Sequence, residues 1–120
     1  MEQCYSHTEK ETISMQEFTE ATQEDECIQL AITAFRTGRW HEMVHNLSRR
    51  TEEARHTLAT LHHVRQVLSV SSEGCLFRGL RLVVPQSLQL RIVGLEHAAH
   101  QGIVKTKARL RCKVWFPGLD

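Results

Sequence analysis

The sequence predicts a mainly α-helical chain carrying one small antiparallel β-ribbon. Three observations predict it. Apolar residues recur at helical spacing over 15–40, 53–66 and 87–99. Over 68–85 that period gives way to short apolar runs separated by Ser71-Ser72-Glu73-Gly74 and Gly79-Leu80, which have turn chemistry. Pro85 then closes the ribbon, because proline donates nothing to a strand ladder and suits the first turn of a helix.

Residues 1–12 are polar and aperiodic, and are expected to form a flexible tail. Ser14 and Glu17 have the spacing of a capping box, so a short helix is expected over 15–21. Thr22 offers a second N-cap, followed by Glu24, Asp25 and Glu26, where negative charge favours a helix start. Ile28, Ala31, Ile32 and Phe35 then fall on one stripe. Thr37-Gly38 ends that helix, and Trp40 is expected to fold back on the stripe. Residues 13–40 therefore read as a helical hairpin.

Residues 41–67 read as a linker and a helix. The stretch 41–53 is polar and charged, whereas Ala54, Leu58, Leu61 and Val64 keep a helical period to about 66. His62 and His63 are adjacent, so on a helix they point about 100° apart and do not share a metal ion. Residues 68–85 form the ribbon. A helix from Ser87 carries Leu88, Ile92, Leu95 and Ala99, weakened by Gly94, which costs about 1 kcal/mol against alanine. Gln101-Gly102 interrupts it. A last helix over 103–113 buries Ile103, Ala108 and Leu110, and Trp115-Phe116-Pro117-Gly118 ends it in an extended apolar turn.

Composition narrows the function. Aromatic residues are 6% of 120, so the core is modest and mostly aliphatic. The sequence has no apolar run near the roughly 20 residues that span a bilayer, and Met1-Glu2-Gln3-Cys4 does not open a signal peptide. The expected location is intracellular, nuclear or cytoplasmic, with no membrane partner. The four cysteines, at 4, 27, 75 and 112, form no Cys-x-x-Cys pair and are expected as free thiols. The net charge of +1 hides an asymmetry. Residues 1–60 carry 6 Lys/Arg against 11 Asp/Glu, and residues 61–120 carry 9 against 3. A basic half can bind a polyanion or the acidic half of its own chain. The sequence has no Gly-rich phosphate loop, no Gly-x-Ser-x-Gly elbow and no carboxylate cluster for two metals, so catalysis is not expected.

Two groups of residues carry chemistry. His97 and His100, spaced i, i+3, share a helix face and can reach one zinc ion. Two surface histidines give the same pattern, and a structural zinc site needs four ligands. Lys105, Lys107, Arg109, Arg111 and Lys113 make a broad basic surface, either solvated or in contact with the phosphates of DNA or RNA.

The run from Leu80 through Pro85 to Leu88 is followed by Leu95-Glu96-His97-Ala98-Ala99-His100-Gln101-Gly102-Ile103. Then come the basic segment and Trp115-Phe116-Pro117-Gly118. Together they resemble the integrase zinc-binding domain of Gypsy-class LTR retrotransposons. Residues 22–40 and 64–70 are similar to the connector that precedes integrase in such Pol polyproteins. The resemblance spans about 12–120, specific in its C-terminal part and looser before it. It implies that 13–40 is a connector and that 86–120 is a truncated integrase zinc-binding-like helical module. The family completes its site with a Cys-x-x-Cys pair past the aromatic-Pro-Gly turn, and Asp120 is reached first. His97 and His100 would then be an incomplete zinc site, with Cys112 on the basic helix outside the family's Cys pair. Ala98-Ala99 and Phe116 also depart from the usual pattern. The implied function is a non-catalytic fragment or host-retained remnant of a retrotransposon Pol protein, with weak nucleic-acid binding. The alternatives are a helical protein-interaction module docking through Ile28, Ile32, Phe35 and Trp40, self-association included, or a pseudogene product without a role.

Overall fold

A computed structural model describes residues 13–100 and 113–119. The first helix, α1 (Met15–Glu24), starts where the Ser14 hydroxyl accepts the Glu17 N–H at 3.0 Å. Glu17 turns its carboxylate to Arg91, far along the chain, so only the serine limb of the capping box forms here. The helix runs three residues past the sequence expectation. Thr22 is no cap: it is buried in the last turn, and its hydroxyl finds no partner. Asp25 takes the role instead. Its Oδ1 accepts the Ile28 N–H at 3.0 Å and opens α2 (Glu26–Thr37). A carboxylate is the stronger acceptor at a helix N-terminus, and it sits one turn nearer the apolar stripe. Gly38, at φ 78°, closes α2 by donating its N–H to the Ala34 carbonyl at 2.7 Å.

The expected linker is structured. Trp40–Met43 forms a single helical turn, α3, which passes into a 3₁₀ turn, Val44–Asn46. Met43 and Leu47 are buried in the core with Trp40. The Ser48 N–H and hydroxyl both donate to Glu26 Oε2, at 2.9 and 2.8 Å, and tie the loop to the start of α2. So few apolar residues in a polar stretch give no readable period, yet they are enough to fix it. Thr51 then caps α4 (Glu52–His63) by accepting the Ala54 N–H at 3.1 Å. Leu58 and Leu61 are fully buried, and a 3₁₀ turn, Arg65–Val67, leads into the sheet.

Strands β1 (Leu68–Val70), β2 (Leu76–Arg78) and β3 (Arg81–Val83) pair antiparallel, as the sequence suggested. The ribbon is nevertheless incomplete as read. A fourth strand, β4 (Val114–Trp115), pairs parallel to β3, making a mixed sheet of order β1-β2-β3-β4. Two residues give no alternation to read, and a parallel partner needs a long crossover, so β4 has no local signature. Between β3 and β4 the chain forms α5 (Gln86–His100). Leu88 and Ile92 are buried and Leu95 is half-buried, whereas Ala99's side chain lies outside the described residues, as do the expected tail 1–12 and nearly all of the helix expected over 103–113.

The sheet divides two cores, because successive strand residues face opposite sides. Leu68, Leu76, Val83 and Trp115 face Ile28, Ile32, Trp40, Leu58 and Leu61. Phe77, Leu82 and Val114 belong with Phe18, Leu88, Ile92, Phe116 and Leu119 on the other side. Asp25 spans the two. While Oδ1 caps α2, Oδ2 accepts the Gln86 N–H at 2.8 Å, so one carboxylate serves the first turns of α2 and α5.

Candidate nucleic-acid interface

The sequence-derived site residues fall in unequal positions. His97 is exposed near the end of α5, and His100 is its last residue, with a side chain outside the described residues. Lys105, Lys107, Arg109, Arg111 and Cys112 also lie outside them. Lys113 is described, exposed and immediately ahead of β4. Among the described residues no group of three or more His, Cys, Asp or Glu is placed to hold a metal ion. His97 is the one expected zinc ligand whose side chain lies among the described residues.

A second set of cations is assembled by strand pairing. The turn Gly79-Leu80 sets Arg78 directly opposite Arg81 across β2 and β3. The Arg78 guanidinium lies over the buried Trp115 ring, 4.6 Å from its centroid. Arg81 donates Nε–H to the Val114 carbonyl at 3.1 Å. Because Leu82 pairs with Val114, Lys113 enters the sheet at the Arg81 end. The Gly79 N–H donates to the Val67 carbonyl at 2.7 Å and brings the 3₁₀ turn with Arg65 to the same end. Arg65 is exposed and donates to the His62 carbonyl at 3.0 Å. Sequence reasoning passed over Arg65, Arg78 and Arg81. The signal available was Arg-Gly-Leu-Arg, since a two-residue turn makes its flanking residues cross-strand neighbours.

The chain matches no protein-family model, no curated protein and no solved structure.

The face expected to dock a partner is mostly spent inside the fold: Ile28, Ile32 and Trp40 are core residues, and Phe35 alone of the four is exposed, at 40%. Ala34 takes the buried position that the stripe assigned to Phe35. A cleft of about 390 Å³ lies where α2, α4 and α5 begin, lined by Asp25, Glu26, Cys27, Arg49, Glu53 and Ser87 among others. Such helix starts attract anions, but here side chains of the chain already occupy them: Asp25 serves the first turns of α2 and α5, and Thr51 caps α4. The Ser48 hydrogen bonds hold the Glu26 carboxyl below its ordinary range. Cys27 at the cleft is half-buried, its Sγ 3.7 Å from the Ala54 carbonyl, and burial above all pushes its thiol up to about 11, which keeps it from acting as a thiolate.

Beside the basic end, His62 stacks on Trp40 at 5.2 Å between ring centroids, with His41 edge-on at 5.4 Å. Burial lowers the His62 pKa from its ordinary 6.5, and Arg65, His41 and His63 lower it further. Among the described residues no helix is long and apolar enough to cross a membrane.

Proposed function

We propose that this chain is a non-catalytic nucleic-acid-binding segment of retroelement Pol descent, which binds through phosphates and reads no base sequence. The observation that carries the reading is the run 80–119. Its resemblance to the integrase zinc-binding domain implies a strand ending in proline, then a helix through the histidine pair, then an aromatic-Pro-Gly turn. The order β3, Pro85, α5, then β4 ending at Trp115 and a turn at Pro117-Gly118, with Gly118 at φ 94°, supports it. Lys113, exposed at the end of the basic segment, and the excess of Lys/Arg over Asp/Glu in 61–120 support the choice of ligand. Phosphate contacts need positive charge alone, and direct base readout needs an element set into a groove.

Fluorescence anisotropy on labelled duplexes across a salt series tests the proposal. Binding should be weak, indifferent to sequence and steeply lost with salt. Deleting residues 1–47, which carry 9 Asp/Glu against 3 Lys/Arg, would also remove core residues, so reversing charges at exposed sites such as Glu20 and Glu42 is the better companion. It should strengthen binding at low salt. Tight binding that discriminates between two duplex sequences, or none at low salt, rejects the proposal.

A further inference from the structure

We infer that the hairpin end of the sheet is a phosphate-contacting edge for nucleic acid, formed by Arg65, Arg78, Arg81 and Lys113. The inference rests on the nucleic-acid reading above, and moves the contact from the 103–113 segment to a fixed part of the fold. Strand pairing sets Arg78 directly opposite Arg81. Of the five described Lys/Arg in 61–119, four lie at this end, while Arg91 is drawn to Glu17 on another element. The two carboxylates of the same stretch are elsewhere: Glu73 in the turn at the far end of β1 and β2, Glu96 on α5.

The guanidiniums are also held in place. Arg78 lies on Trp115, Arg81 is anchored on the Val114 carbonyl, and Arg65 on the His62 carbonyl. A planar donor fixed before binding loses less freedom on meeting a discrete oxyanion. That favours the spaced phosphates of a nucleic-acid strand over an acidic lipid surface, whose diffuse charge is served equally by mobile lysines. Leu80, 93% exposed at the turn, and Val67 beside it are the large apolar side chains here. Two such residues bury much less than the single acyl chain that gives only marginal anchoring.

The test compares two variants of the full chain by anisotropy on a duplex and on a single strand. One carries Arg65→Gln and Arg78→Gln; the other carries Lys105→Gln, Lys107→Gln, Arg109→Gln and Arg111→Gln. The first should reduce the slope of log affinity against log salt by about 2 and weaken low-salt binding roughly tenfold or more. The second should leave a residual slope of about 2 to 3, set by Arg65, Arg78 and Lys113. If circular dichroism shows Arg78→Gln to be unfolded, Arg65→Gln with Lys113→Gln, both exposed in the native fold, carries the same expectation, and Arg78→Lys should retain binding. A first variant that binds like the native chain, with binding lost in the second, overturns the sheet-end site and leaves the proposed function standing. A native chain that binds neither nucleic acid sinks both readings. Binding to phosphatidylserine vesicles in place of nucleic acid overturns this inference in favour of a membrane surface.

Discussion

On one face of the sheet the core comes from a nearly continuous stretch, Ile28 to Leu76, closed by Val83 and Trp115. On the other face it comes from distant pieces: Phe18, then Cys75, then Val84 to Ile92, then Val114 to Leu119. The first face has helices with side-chain caps at Asp25 and Thr51 and contacts that are mostly near in sequence. The second needs long loops closed before any burial rewards them. The second face should therefore open first. Local opening draws on the region with fewer buried contacts, which is the face holding α5, whose Leu90 and Val93 are exposed as well.

Core truncations should have the largest effects, and different ones on the two faces. Leu58→Ala removes a side chain that is 1% exposed from the larger cluster, and should cost about 3–5 kcal/mol in a urea melt, unfolding the whole chain. Ile92→Ala, at 3% exposed in the smaller cluster, should cost about 2–4 kcal/mol and act on α5 first. In hydrogen exchange, amides over 88–97 should lose protection in this variant while those over 28–36 keep theirs. If α5 outlasts α2 in the native chain, the order of the two faces is wrong.

Asp25 is the residue that joins the faces, and it should have the next largest effect. Asp25→Ala removes the α2 cap and the acceptor of the Gln86 N–H together, and should cost about 1–2 kcal/mol. Asp25→Asn keeps one acceptor oxygen and puts an amide NH₂ where the other stood, so it should fall between the native chain and alanine. Equal thermal melts for Asp25→Asn and the native chain would mean that the link to α5 contributes nothing.

The same contrast explains what was legible in the sequence. The helices of the first face announce themselves by period and by caps, with Thr51 and Gly38 serving as their residue types suggest, and Ser14 caps α1 as read. Local pattern is insufficient where a tertiary contact decides. Thr22 and Asp25 are both acceptable caps locally, and Asp25 wins with a second bond, to Gln86, that no local pattern contains. Met43 and Leu47 are too few to show a period, yet Trp40 pulls their segment into the core. β4 exists because β3 is there to pair with it. For the site, the basic cluster in sequence could be seen, whereas Arg65, Arg78 and Arg81 are 65–81 along the chain and become neighbours through the sheet register.

A smaller effect of opposite sign should come from Thr22. Its hydroxyl is buried without a hydrogen-bond partner, so it loses water and gains nothing in return. Thr22→Val keeps the shape and replaces that hydroxyl with a methyl group. It should stabilise the chain by about 1 kcal/mol, read from the shift in urea midpoint at unchanged slope. A destabilised Thr22→Val would mean that the hydroxyl is satisfied in solution.

The smallest expected effect is on pH dependence, and it separates the first face from the second because His62 belongs to the first alone. Its pKa in the fold lies below the ordinary 6.5, through burial first and then Arg65, His41 and His63. The unfolded chain therefore binds the proton more readily, and stability rises with pH across the interval between the two values. The contribution is complete above about 6.5 and is lost as pH falls through the lower, folded value. Glu26 acts in the same direction in a separate and more acidic window, below its ordinary 4.5. The native chain should thus lose thermal midpoint between about pH 7.5 and about pH 5.5, before the Glu26 window opens. His62→Phe keeps a ring on Trp40 but cannot titrate, so its midpoint should fall less over that range. Parallel curves for the two chains would show that protonating His62 costs the fold nothing, and that the stack on Trp40 accepts a charged imidazole.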